Sequence, residues 1–144
     1  MRPTSASSGA SGGGSESGVD RLINAAKMND AKRIVEEIKS GVDVNSRGGR
    51  YLETTLHFAA KYDHGGSVKV LLGSRADIEA RSADDSTPLL YAAWRGSNET
   101  LKLLINAGAD REARDERGFT ALSLAAQEGK NEALKILLDA GADK

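Results

Sequence analysis

The sequence predicts an all-α repeat fold, a linear solenoid of stacked helix-turn-helix units. Three observations lead there. The stretches "TTLHFAA", "TPLLYAA" and "TALSLAA" begin at Thr54, Thr87 and Thr120, each 33 residues beyond the one before. A second landmark keeps the same interval: "RADIEAR" from Arg75, "GADREAR" from Gly108 and "GADK" from Gly141. Two motifs locked to one period identify an internal repeat. Finally, each unit holds two short apolar runs of helical period and cannot bury both faces alone, so neighbours must stack to complete a core.

The elements follow in chain order. The first 18 residues, "MRPTSASSGASGGGSESG", are almost all Ser, Gly, Ala and Thr, too poor in apolar surface to offset the entropy of ordering them. A disordered tail or linker is expected over 1–18. The "SGGGSESG" within it lacks the preceding strand and the following Gly-Lys-Ser/Thr of a phosphate loop. The repeat domain is expected over 19–144, with units near 20–47, 48–81, 82–114 and 115–144. Unit one is irregular. It keeps Ala25, Ala26, Ile34, Val35, Ile38 and Gly41 but has no Thr-Pro start, and Lys27, Lys32, Arg33, Glu36, Glu37 and Lys39 give it a charged outer surface. An N-terminal capping unit needs that division between one apolar and one wet face. Asp43 to Asp77 is 34 residues, so one extra residue lies in "RGGRYLET".

Within units two to four, Thr54, Thr87 and Thr120 are placed to cap the first helix with their hydroxyls. Pro88 takes a first-turn position, where its missing N–H costs nothing. Leu89, Ala92 and Ala93 make a narrow apolar face whose alanines allow close helix approach, and Gly96 and Gly129 end the first helices. A second helix follows, with Leu101, Leu103, Leu104 and Ile105 in one unit and Leu134, Ile136, Leu137 and Leu138 in the next, closed by Gly108 or Gly141.

Composition narrows the function classes. Hydrophobic residues are 39% and charged residues 28% of the 144, as in a soluble globular protein. The net charge of −1, with both signs interspersed, exerts no bulk pull on nucleic acid or anionic membrane. Arg111, Arg114 and Arg117 alternate with Glu112, Asp115 and Glu116, which suits a salt-bridged surface better than a phosphate track. With no cysteine, disulfides and thiolate metal sites are excluded. No apolar run reaches the length of a membrane span and no signal peptide is evident, so an intracellular protein, cytoplasmic or nuclear, without direct membrane insertion is expected.

These landmarks resemble the ankyrin repeat, whose unit runs roughly D-x-x-G-x-T-P-L-H-x-A-A-x-x-G-H, then a Leu-rich helix, then G-A-D-V-N. The match spans about residues 20–144. The resemblance implies an ankyrin-type solenoid with projecting β-hairpin loops, or fingers, and recognition of a protein or peptide partner along the concave groove of finger tips and first helices. His57 stands at the family's His position, whereas Leu90 and Ser123 replace it, so the Thr–His hydrogen bonding is expected to be missing there. Leu52 and Asp85 occupy the finger-tip Gly position that Gly118 retains. Asp63 takes the inter-helix Gly position ahead of "HGGS", which implies a loosened turn in unit two.

Carried over by position, the groove sites are Arg50, Tyr51, Glu53, Lys61 and Tyr62 in unit two. In unit three they are Ala83, Asp84, Ser86, Trp94 and Arg95, and in unit four Glu116, Arg117, Phe119, Gln127 and Glu128. Tyr51, Tyr62, Trp94 and Phe119 form an aromatic track, with Arg95 and Arg117 nearby, and Trp, Tyr and Arg are the residues enriched at binding hot spots. Phe58 and Tyr91 instead fall at positions that pack between repeats.

No constellation supports catalysis. His57 reads as a satisfied core histidine and His64 as a solvated turn residue. No metal-binding histidine spacing and no G-x-S-x-G elbow occurs. Asp84-Asp85 reads as a solvated tip or a charge offered to a partner. The expectation is a monomeric, non-enzymatic protein–protein interaction module with no cofactor. A regulatory or targeting segment of a larger enzyme or channel is the alternative, because the last helix keeps the apolar residues of an internal repeat.

Overall fold

The computed structural model describes residues 17–142. Helices α1 (Gly18–Lys27) and α2 (Ala31–Lys39) form unit one, and a two-stranded hairpin, β1 (Arg47–Gly48) and β2 (Glu53–Thr54), leads into α3 (Thr55–Lys61) and α4 (Gly65–Gly73). Units three and four are α5 (Pro88–Arg95) with α6 (Asn98–Asn106) and α7 (Ala121–Gln127) with α8 (Asn131–Asp139). Ser17 caps α1, its hydroxyl accepting from the Asp20 N–H at 3.1 Å, so Ser17 and Gly18 of the expected tail already open the first helix. The rest of that tail lies outside the described residues.

The odd-numbered helices pack on one another in chain order, and so do the even-numbered ones, giving two helix layers. The inner layer packs through Leu22, Ala25, Ala26, Ala59, Ala60, Leu89, Ala92, Ala93 and Ala125, all buried. Alanine pairs let these short helices approach closely. The outer layer is bulkier, with Ile34, Val68, Leu71, Leu101, Leu104 and Leu137 fully buried. Each such side chain contributes roughly 1.5–3 kcal/mol by leaving water.

Capping explains why seven- to nine-residue helices hold. The hydroxyls of Thr54, Thr87 and Thr120 accept from the N–H groups of His57, Leu90 and Ser123 at 3.4, 3.3 and 3.3 Å. The Thr–His bonding is missing in units three and four as the sequence leads one to expect, but in unit four serine supplies the reciprocal bond instead. Ser123 Oγ accepts from the Thr120 N–H at 2.8 Å, because a short hydroxyl reaches the same donor. Leu90 has no such group, and there the reciprocal bond is missing.

The turn of unit two is not loosened either. Asp63 sits in the left-handed region at φ 57°, as Asn29 does at 54° and Gly96 and Gly129 at 71° and 68°. Asp63 Oδ1 accepts from the Thr100 N–H at 3.0 Å, and Asn29 Oδ1 from the N–H and hydroxyl of Ser67 at 3.2 and 2.8 Å. A short polar side chain here ties one inter-helix turn to the first turn of the next outer helix. Gly65, which opens α4, lets the Glu99 carboxylate approach: a Cβ on it would lie 2.5 Å from that group and would displace the exposed Glu99 side chain.

The finger tips turn where expected. Leu52, Asp85 and Gly118 take φ values of 53°, 64° and 87°. The extra residue of unit two is absorbed between Arg47 and Leu52, where Gly49 adopts φ 77°. Adjacent fingers join through the Ala83 N–H to the Tyr51 carbonyl at 2.7 Å and the Glu116 N–H to the Asp84 carbonyl at 3.2 Å. An arginine ladder runs beneath them. Arg47 Nη1 donates to the Leu52 carbonyl at 3.0 Å and also to the Arg81 carbonyl. Arg81 Nη1 donates to the Asp85 and Arg114 carbonyls at 3.0 and 2.7 Å, and Arg114 Nη1 to the Gly118 carbonyl at 2.9 Å. Arg114 is thus a finger tie, while Arg117 pairs with Asp115 at 3.6 Å in the charged surface expected there.

Candidate functional site: a concave groove

Between the fingers and α3, α5 and α7 lies a cavity of about 410 Å³. Nine of the fifteen groove sites expected from the sequence line it: Tyr51, Glu53, Lys61, Asp84, Ser86, Trp94, Arg117, Gln127 and Glu128. Trp94 is 41% exposed and Tyr51 51% exposed. Trp94 is the seventh residue of α5, on a helix whose core residues are Leu89, Leu90, Tyr91, Ala92 and Ala93. The indole therefore adds to the groove without plugging the core.

The other six lie elsewhere, Ala83 and Glu116 joining neighbouring fingers through their N–H groups. Arg50 is exposed on the finger of unit two, outside the cavity. Tyr62 ends α3 and sets its ring 6.0 Å from that of His64. Arg95 holds its guanidinium 5.6 Å from the Trp94 ring centroid but does not line the cavity. Phe119 departs most from the expected aromatic track. It is half-buried and faces a separate cavity of about 750 Å³ with Leu122, Leu134 and Leu138. Asp115, buried at the root of the finger, closes the loop: its Oδ1 accepts from the N–H groups of Arg117 and Phe119 at 2.9 and 3.0 Å. Arg117 lies over that ring at 4.7 Å while also lining the groove.

The floor is polar in a way the sequence pattern underdetermines. Glu53 is 3% exposed, with Lys61 Nζ 3.3 Å from its Oε2. The Lys61 ammonium also lies 5.2, 5.8 and 5.6 Å from the ring centroids of Phe58, Tyr62 and Tyr91. Lys61 is therefore a clamped part of the floor, not a free contact. Tyr91 reaches the cavity from a position expected only to pack between repeats. Burial, and next its hydrogen bond to Glu53, push its hydroxyl above the ordinary tyrosine value. Asp115, Leu90 and Leu124 also line the cavity. The period marks these as repeat positions but does not say which of them are reached from the groove.

His57 has the expected structural role. Its Nδ1 accepts from the Thr54 N–H at 3.0 Å, and Nε2 donates to the Ser86 carbonyl at 2.8 Å, joining unit two to the next finger. The ring meets Tyr91 edge-on at 4.9 Å between centroids. Burial pushes its pKa below the ordinary 6.5.

Among the described residues no group of three or more His, Asp or Glu is placed to hold a metal ion. No described helix is long and apolar enough to cross a membrane.

Comparison with known proteins agrees with this geometry. The family model described as "Ankyrin repeats (3 copies)" matches residues 22–115 and 56–144. The chain is similar to the mouse and human proteins called "Ankyrin repeat domain-containing protein 40", with 39% identity over 70 residues in each case. That match covers 49% of this chain and 19% of the length of either relative. With two helix layers, capped 33-residue units and a family model running from residue 22 to residue 144, the chain belongs to the ankyrin repeat family.

Proposed function

We propose that the chain is a monomeric protein–protein interaction module, without catalysis of its own, that holds a protein or peptide partner in the concave groove. Ankyrin repeats are in general protein–protein interaction modules and in general non-catalytic. The single observation that carries the reading to the groove is the pairing of Trp94 and Tyr51. Two large exposed aromatic side chains line one cavity on elements fixed by backbone hydrogen bonds. Side chains already held in place lose little entropy on binding, so their contact area translates efficiently into affinity.

The test is quantitative capture by the full chain and by its Tyr51→Ala/Trp94→Ala variant. Proteins enriched by the wild type are expected to fall at least about tenfold, as for the loss of a hot spot. Helicity and the midpoint of thermal unfolding should stay close to wild type, since both rings are largely outside the core. Undiminished capture by the variant contradicts the assignment.

A second reading, a regulatory or targeting segment of a longer protein, draws on the relatives, of whose length the match covers 19%. On that reading, deleting the repeats from the full-length protein changes its location or regulation while the activity of the remainder persists.

A further inference from the structure

We infer that the groove is selective for a basic peptide segment, with an arginine side chain of the partner set against Trp94 and paired with Asp84 and Glu128. This rests on the groove being the interaction surface and adds the chemistry of what enters it.

The chain as a whole is nearly neutral, at −1, but the groove is not. Four carboxylates line it, Glu53, Asp84, Asp115 and Glu128, against two cations, Lys61 and Arg117. Both cations are committed. Lys61 lies 3.3 Å from Glu53, and Arg117 Nη2 lies 3.6 Å from Asp115 Oδ2. Asp84 and Glu128 form no ion pair among the described residues; the Asp84 carboxylate accepts only the Ser82 hydroxyl there. Glu53 adds negative charge in the floor, but it is nine-tenths buried, paired with Lys61 and hydrogen-bonded to Tyr91, so it is not itself offered to a ligand. The groove thus offers the surplus negative charge of Asp84 and Glu128 and two aromatic walls, Tyr51 and Trp94.

A guanidinium answers both. It is planar, stacks on aromatic faces, carries five donors and is more weakly hydrated than an ammonium. Its bonds to carboxylates are charge-assisted. The other chemistries fit worse. An acidic segment would bring carboxylates towards Asp84 and Glu128 with both groove cations already paired. An apolar segment would strip water from those carboxylates without replacing it, at a cost. Nucleic acid is disfavoured by the same sign of charge.

A random 12-residue peptide library selected on the immobilised full chain tests this, with the enriched peptides then synthesised and titrated. The expected peptides share an arginine. Their affinity falls about tenfold or more in Asp84→Asn/Glu128→Gln, falls when that arginine is replaced by neutral, isosteric citrulline, and weakens as salt rises. Asp84→Asn keeps an acceptor for the Ser82 hydroxyl, so finger structure is retained, and an unchanged circular dichroism spectrum checks it. Acidic or apolar peptides, or arginine peptides indifferent to the double variant, overturn the basic-segment assignment. If those peptides still lose binding in Trp94→Ala, the groove remains the interaction surface. A selection with no Trp94-dependent binder counts against both.

Discussion

Replacing His57 by alanine is expected to lower the free energy of unfolding by about 2–5 kcal/mol, measured by urea titration at pH 7.5. The imidazole is fully buried and joins two units through the Thr54 N–H and the Ser86 carbonyl. Its removal leaves a cavity and two backbone groups without their partners. A pH dependence accompanies this. Burial depresses the folded pKa below 6.5, so the folded state keeps the ring neutral while the unfolded chain takes up a proton. The stabilisation is whole above about pH 6.5 and is lost as pH falls from there towards the depressed folded value. The slope reaches at most about 1.4 kcal/mol per pH unit. His57→Leu, which adopts the residue that unit three has at this position, should remove that component between pH 6.5 and 5. A variant whose stability falls with pH as the wild type's does would show that the ring is not held neutral.

Replacing Leu104 by alanine is expected to cost about 2–5 kcal/mol. The side chain is fully buried in α6, the helix that packs against both α4 and α8 in the outer layer. No unit closes its own core, so the cavity weakens two interfaces together. Leu138, on α8, is 39% exposed and makes the internal comparison. Leu138→Ala should cost well under half as much in the same urea titration. Equal losses at the two positions would contradict the layered packing.

The solenoid was legible because its determinants are local and repeated. Thr caps, the alanine pairs, left-handed turn residues and Leu-rich runs each act within a few residues of themselves, so the period exposes them. The positions of Leu52 and Asp85 in left-handed tips follow from register alone. What escaped notice depends on partners with no side-chain signature. The arginine ladder of Arg47, Arg81 and Arg114 binds backbone carbonyls, which every residue has. The Asp63 tie reaches an N–H in the next unit. In the groove, register brings Tyr51, Lys61, Asp84, Trp94, Arg117 and Glu128 to one cavity. It does not show that the Phe119 ring lies in the neighbouring cavity or that Glu53 pairs with Lys61 from below, since neither follows from the repeat pattern.

Trp94 provides the most direct test of the account, being the only tryptophan in the chain. Its emission can be read in a captured partner complex if that partner's own tryptophans are replaced, or if Trp94 alone is labelled as 5-fluorotryptophan for fluorine NMR. The account predicts an indole accessible to acrylamide in the free protein and shielded from it on binding, with the quenching constant falling severalfold. An indole as accessible in the complex as in the free chain would place the partner elsewhere on the solenoid and contradict the groove.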